Sequence, residues 1–277
     1  MMKSLRESQG TVGQMMRERL SEPFLLNAYS IVLLLLGGFR QKVEFDLIVR
    51  RPYAFGLLRA ADLAIRWAPG RRLYAIEFGV AAGAGLMNMA SLAARVAKTT
   101  GVEIEVVGFD TGAGLPPPAD YRDHPEYWGE GDYPPIDRDR LSHSLPDHCR
   151  LIYGDVAETV DCFIDNMDGV VGFASVDVDY YSSAKSCLQL FSSEDPTKYL
   201  PLVPMYFDDV LREFNNDACG ERLAIREFNE LEDSRIIEPY TGLREERIFK
   251  NARYISKMYA LHVLDHPQRQ PKNTEAG

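Results

Sequence analysis

The chain lacks the marks of several large protein classes. Its four cysteines, Cys149, Cys162, Cys187 and Cys219, are far apart and form no Cys-x-x-Cys pair. That spacing excludes a zinc knuckle or a dithiol redox motif and reads as reduced, mostly buried thiols of a cytoplasmic protein. Basic clusters are scarce. Arg50-Arg51 and Arg71-Arg72 are the only adjacent basic pairs, and 31 Lys and Arg stand against 41 Asp and Glu, for a net charge of −10. Phosphate backbones are held by clustered Lys and Arg, so nucleic acid is not an expected partner. No apolar run reaches the ~20 residues that a membrane-spanning helix needs. The longest, FLLNAYSIVLLLLGGF at 24–39, is interrupted by Asn27, Ser30 and a Gly pair. It follows a charged amphipathic stretch, unlike a signal peptide, and is expected as a buried or interface helix through which a homodimer could form.

What is present suits a globular enzyme. The chain has 277 residues, 45% hydrophobic and 26% charged, enough for one large domain or two small ones. Helical spacing covers 52–69, with Leu58, Ala61 and Ile65 on one face and Pro69-Gly70 as the stop. It returns at 84–98, 156–166, Ser182–Phe191 and 218–231. Between these lie short apolar runs that read as buried parallel strands: LYAIEF (73–78), EIEVVGFD (103–110), CRLIY (149–153), VVGFASVD (170–177) and LVPMYFDD (202–209). Antiparallel strands are expected near 235–238 and 254–264. The alternation predicts an α/β, doubly wound, mostly parallel sheet with helices on both faces. Residues 1–70 are expected as a helical extension, 71–265 as the main domain and 266–277 as a disordered tail. Residues 115–150 hold seven of the sixteen prolines. So long a connection is usually functional and is read as a lid.

Acids mark the strand ends. Glu77, Asp110, Asp155, Asp177 and the pair Asp208-Asp209 each fall at or just beyond the carboxyl end of an expected strand. In a doubly wound sheet those ends share one edge, where ligands bind. Any one such acid reads equally well as a helix N-cap. Six together call for positive charge from a ligand, a metal ion or both. Residues 77–85, EFGVAAGAG, place glycines at 79, 83 and 85, without meeting a strict G-x-G-x-x-G pattern. Glu77 before that turn suits an ammonium group better than a pyrophosphate. Asp110 can accept two hydrogen bonds from a ribose diol, and Asp155 is placed for an adenine amino group. Together they point to S-adenosylmethionine.

Five segments, IEFGVAAGAG (76–85), VVGFDTGAGLP (106–116), GDVAETV (154–160), DVDYYSS (177–183) and YFDD (206–209), occur in the order found in a known family. The chain resembles a class I S-adenosylmethionine-dependent methyltransferase. It is most similar to the metal-dependent sugar O-methyltransferases of the macrocin, mycinamicin and novobiocin type. The resemblance implies a Rossmann-like fold with a C-terminal antiparallel hairpin, and a hydroxylated small-molecule acceptor, a sugar or similar natural product. It implies cofactor contacts from Glu77, Phe78, Gly79, Gly83, Asp110, Thr111, Gly154 and Asp155. It implies magnesium on Asp177, Asp208 and Asp209, oxygen ligands suited to a hard ion, with Asp177 catalytic beside it. The chain departs from the family pattern at Ala184, where Thr is common, and at YLPLVP (199–204), where a Gly-Gly turn is usual. His124, His143 and His148 are further candidates for a base, and Tyr121, Tyr127, Trp128 and Tyr133 for stacking on the acceptor. Two other readings stay open: a glycosyltransferase using Asp177-Val178-Asp179, and a non-catalytic binding protein on the same fold.

Overall fold

The computed structural model describes residues 17–133 and 137–271. Among the described residues, the helices α1 (Phe24–Leu36), α2 (Phe39–Glu44) and α3 (Arg51–Trp67) precede the sheet, after a helical stretch at 17–20. Then follow β1 (Leu73–Phe78), α4 (Ala84–Thr100), β2 (Ile104–Asp110), α5 (Arg138–Ser144), β3 (Cys149–Tyr153), α6 (Val156–Asn166), β4 (Val170–Val176), α7 (Tyr181–Leu188) and β5 (Leu202–Phe207). The chain closes with α8 (Gly220–Leu231), β6 (Arg235–Pro239), α9 (Leu243–Glu246) and β7 (Met258–Val263). The sheet order is β3-β2-β1-β4-β5-β7-β6. Strands β1 to β5 are parallel, and β7 lies between β5 and β6, antiparallel to both. This is the expected doubly wound, mostly parallel Rossmann-like sheet.

Every residue of β1 and β4 is buried, which is why these strands read as continuous apolar runs rather than as alternation. The pleat still separates two faces. On one, the α3 backbone at Gly56 packs directly on Phe173 of β4, where an added Cβ would lie 2.2 Å from the ring. On the other, Phe163 of α6 meets Tyr74 and Phe109 edge-on. Reversal of strand order beside β1 leaves a crevice at the carboxyl ends of β1, β2 and β4, where ligands bind in such sheets.

Three expectations are corrected. The run 24–39 is not one helix, because the chain turns extended at Gly37 and Gly38 before α2 starts. Nor is α1 buried: only Ser30 and Leu33 are, while Phe24, Leu25, Leu35 and Leu36 are each more than 75% exposed. The expected tail is ordered at its start. His266 is buried, its ring accepts from the Gln268 amide, and Arg269 donates to the Pro201 carbonyl. The remainder of that tail, and most of residues 1–22, lie outside the described residues. Among the described residues, no helix is long and apolar enough to cross a membrane.

The 115–150 connection is fastened to the body at several points. Asp123, 1% exposed, accepts from the Ser182 amide and hydroxyl at the start of α7. The Tyr180 hydroxyl donates to the Pro116 carbonyl, and Tyr127 stacks on Phe214 with centroids 3.9 Å apart.

Candidate active site

A cavity of about 260 Å³ opens at the carboxyl edge of the parallel strands, close to the lower end of the range for small-molecule pockets. Of the residues named from the sequence, Glu77, Gly79, Asp110, Thr111, Asp155, Asp177 and Asp208 line it. Phe78, Gly83, Gly154 and Asp209 do not. Phe78 is fully buried against Phe109 in the core, because adjacent strand residues face opposite sides of a sheet. Gly83 faces Leu141 of α5 instead. Leu115, Pro116 and Tyr133 of the 115–150 segment also line the cavity.

The β1 end is built for close approach. Gly79 has φ +82°, and a Cβ there would lie 1.8 Å from the Asp177 carbonyl oxygen, so only glycine lets the β1 and β4 loops meet. At Gly85 a Cβ would lie 2.1 Å from Glu77 Oε1; its absence makes room for the Glu77 carboxylate under the first turn of α4. Glu77 is 2% exposed. The Tyr53 hydroxyl donates to Oε1 at 2.6 Å, while Oε2 is buried without a partner. Burial pushes the Glu77 carboxyl up to about 7, against the Tyr53 hydrogen bond and Arg50, which pull it down.

Asp110 is held differently. Its Oδ2 accepts from the Val80 and Ala81 amides at 2.8 Å each, and Oδ1 from Gly112 at 2.6 Å. The carboxylate therefore ties the glycine turn to β2, and lone pairs remain for a diol. Asp155 caps α6 through the Ala157 amide while also lining the cavity.

The other half of the rim is crowded with acids. Asp177, Asp179 and Asp208 line the cavity, and Asp209 and Glu221 are buried behind it. Burial, with repulsion from Asp208, Asp209 and Asp179, pushes the Asp177 carboxyl well above the usual carboxylate range. Two cations absent from the sequence reading answer this charge. Lys257 Nζ lies 2.9 Å from Asp208 Oδ1, which also accepts from the Tyr206 hydroxyl at 2.6 Å. Arg212 Nε lies 2.5 Å from Asp209 Oδ1. Arg212 stands three and four residues after the acid pair, a spacing that the sequence displays. Lys257 comes from the turn before β7 and carries no local signal.

This arrangement tests the magnesium expectation. The oxygen donors have the right chemistry for a hard ion, but Asp208 and Asp209 are each ion-paired within the protein. Among the described residues, no group of three His, Cys, Asp or Glu side chains is placed to hold a metal. As arranged, the set does not fit a resident dication.

None of the three candidate histidines reaches the cavity. His124 is buried beside Phe214, His143 Nδ1 meets the Asp139 carbonyl oxygen, and His148 Nε2 meets that of Ala90. Of the four aromatics, Tyr133 alone lines it. Tyr127 is occupied with Phe214, Trp128 packs near Tyr133 with centroids 6.0 Å apart, and Tyr121 is 70% exposed.

No protein-family model and no curated protein matches the chain. Solved structures with a similar fold include CalS11, a calicheamicin methyltransferase, at 22% identity over 86% of this chain and 91% of that one, with a TM-score of 0.47. The O-methyltransferase NovP is 15% identical over 66% of this chain and 72% of that one, with a TM-score of 0.44. An O-methyltransferase from Bacillus cereus, solved with SAH, is 13% identical over 77% and 80%, with a TM-score of 0.38.

Proposed function

We propose that the protein is an S-adenosylmethionine-dependent O-methyltransferase acting on a hydroxyl of a small molecule, a sugar or similar natural product. The observation that carries this reading is the pairing of two unlike acids on adjacent strands. Glu77 offers a buried, unpartnered oxygen to a cation, and Asp110 is fixed by three amides beside the glycine turn. When bound, S-adenosylmethionine supplies an electrophilic methyl group on a sulfonium, which becomes a neutral thioether on transfer. Asp177 accepts the hydroxyl proton of the acceptor as that oxygen bonds to the methyl carbon. Burial and the neighbouring acids raise its affinity for a proton. Leu115, Pro116 and Tyr133 line the site, and positioning supplies much of the acceleration. No step is assigned to a metal.

A glycosyltransferase reading is not favoured. Asp177 and Asp179 share the cavity wall, yet the buried Glu77, with one oxygen unpartnered, would face a pyrophosphate. Thermal shift tests the assignment: S-adenosylmethionine and its demethylated product should stabilise the protein, and a sugar nucleotide should not. Stabilisation by the sugar nucleotide alone would reverse the two readings.

We also infer a homodimer through α1. Its 13 residues carry no charge, and Phe24, Leu25, Leu35 and Leu36 stand largely exposed along it, a contiguous apolar surface of the kind that marks an interface. Light scattering should give twice the chain mass, falling to the monomer for Leu35→Glu; a monomeric unaltered protein would overturn this.

A further inference from the structure

The N-terminal extension reaches the cavity. Arg50, in the left-handed region at φ 53°, caps α3 and places its side chain in the cavity wall. Among the described residues its guanidinium forms no hydrogen bond or ion pair, only a cation–π approach to Tyr53 at 5.3 Å. Three residues on, Tyr53 is buried under the sheet. Its hydroxyl donates to Glu77 Oε1 at 2.6 Å and accepts from the Ser175 hydroxyl at 3.1 Å.

Sheet register explains why one tyrosine serves both strands. Glu77 of β1 is paired with Ser175 of β4, and Ser175 with Tyr206 of β5. Directly paired residues share a face, so Glu77, Ser175 and Tyr206 form a row across three strands. Tyr53 lies over that row, its ring edge-on to Tyr206 at 6.0 Å. Because Ser175 supplies a proton to the tyrosine oxygen, the tyrosine proton is directed to Glu77. One carboxylate oxygen is thereby held, and the other, Oε2, is left buried and free.

A buried carboxylate oxygen without a partner and an uncommitted guanidinium now face one cavity from adjacent elements. Together they match the two opposite charges of an α-amino acid. We propose that residues 50–53 complete a subsite for the zwitterionic amino-acid tail of the cofactor. Arg50 takes its carboxylate, Glu77 Oε2 takes its ammonium, and Tyr53, backed by Ser175, is the positioning residue that orients Glu77. This rests on the methyltransferase reading and adds to it a role for the segment that carries no family motif.

The test compares two ligands by calorimetry. S-adenosylhomocysteine carries the amino-acid tail; 5′-methylthioadenosine has the same nucleoside and thioether without it. Arg50→Met and Tyr53→Phe should each weaken S-adenosylhomocysteine about tenfold or more and leave 5′-methylthioadenosine unchanged. Ser175→Ala should act in the same direction, less strongly. Equal weakening of both ligands by Tyr53→Phe would mean a merely structural role and overturn the proposal, as would unchanged binding of S-adenosylhomocysteine in both variants. If the unaltered protein bound neither ligand, the methyltransferase reading would fall, and this subsite with it.

Discussion

The two halves of the cavity rim satisfy their acids by different means. On the β1–β2 side, Asp110 is held by three backbone amides and Glu77 by one tyrosine, with one oxygen left over. On the β4–β5 side, Asp208 and Asp209 are held by Lys257 and Arg212. Backbone amides of a glycine turn are local and rigid, so the first half is fixed before any ligand arrives. Side-chain cations bring compensating charge from elsewhere in the chain. They leave Asp177 between neighbours of its own sign, with its proton affinity raised. On the proposed reading, one side binds and the other moves a proton.

That division can be broken at its most consequential point first. Asp177→Asn should lower methyl transfer by about 10³-fold, within the range for loss of a general base, while S-adenosylhomocysteine binding stays near its original strength. Loss of binding with transfer would place Asp177 on the wrong side of the comparison. Next, Lys257→Met takes from Asp208, almost fully buried, the nearer of its two cations and leaves Arg212 at 3.9 Å. Removing one partner of a buried pair costs about 3–5 kcal/mol, to be read from denaturant unfolding. A full rescue by added magnesium would show that these acids accept a dication after all.

Asp110→Ala frees the amides of Val80, Ala81 and Gly112 together. S-adenosylhomocysteine should bind about 100-fold more weakly, two charge-assisted hydrogen bonds' worth; an unchanged affinity would remove Asp110 from the site. The smallest effect is one of pH. With the Glu77 carboxyl at about 7 in the free protein, an ammonium ligand favours its ionised form. Affinity should therefore fall about tenfold per unit as pH drops below 7. For unliganded stability the sign is opposite. The folded state holds the Glu77 proton up to about 7, whereas the unfolded chain releases it near the ordinary value, 4.5. This group's contribution thus diminishes as pH rises across that window.

Much of the sheet was legible because its signals are local. The parallel strands are short apolar runs ending in acid or glycine, and the structure places them within a residue or two of where the sequence puts them. β7 is the exception: it starts at Met258, because Arg253–Lys257 forms a 3-10 turn. The glycine turn and Asp110 were readable for the same reason as the parallel strands. Tyr53 was not, since its task is set by a register between β1 and β4 that no stretch of sequence displays. Lys257 is 49 residues from the acid it meets. Arg212 was available in principle, at helical spacing from Asp208 and Asp209. Gly37-Gly38 was seen as an interruption but not as the end of a helix whose apolar surface stays uncovered.

The most direct measurement is a crystal structure with S-adenosylhomocysteine bound. The account predicts its amino nitrogen about 3 Å from Glu77 Oε2, with the ribose hydroxyls on Asp110. A ligand lying elsewhere in the cavity, with Glu77 Oε2 still unpartnered, would contradict it.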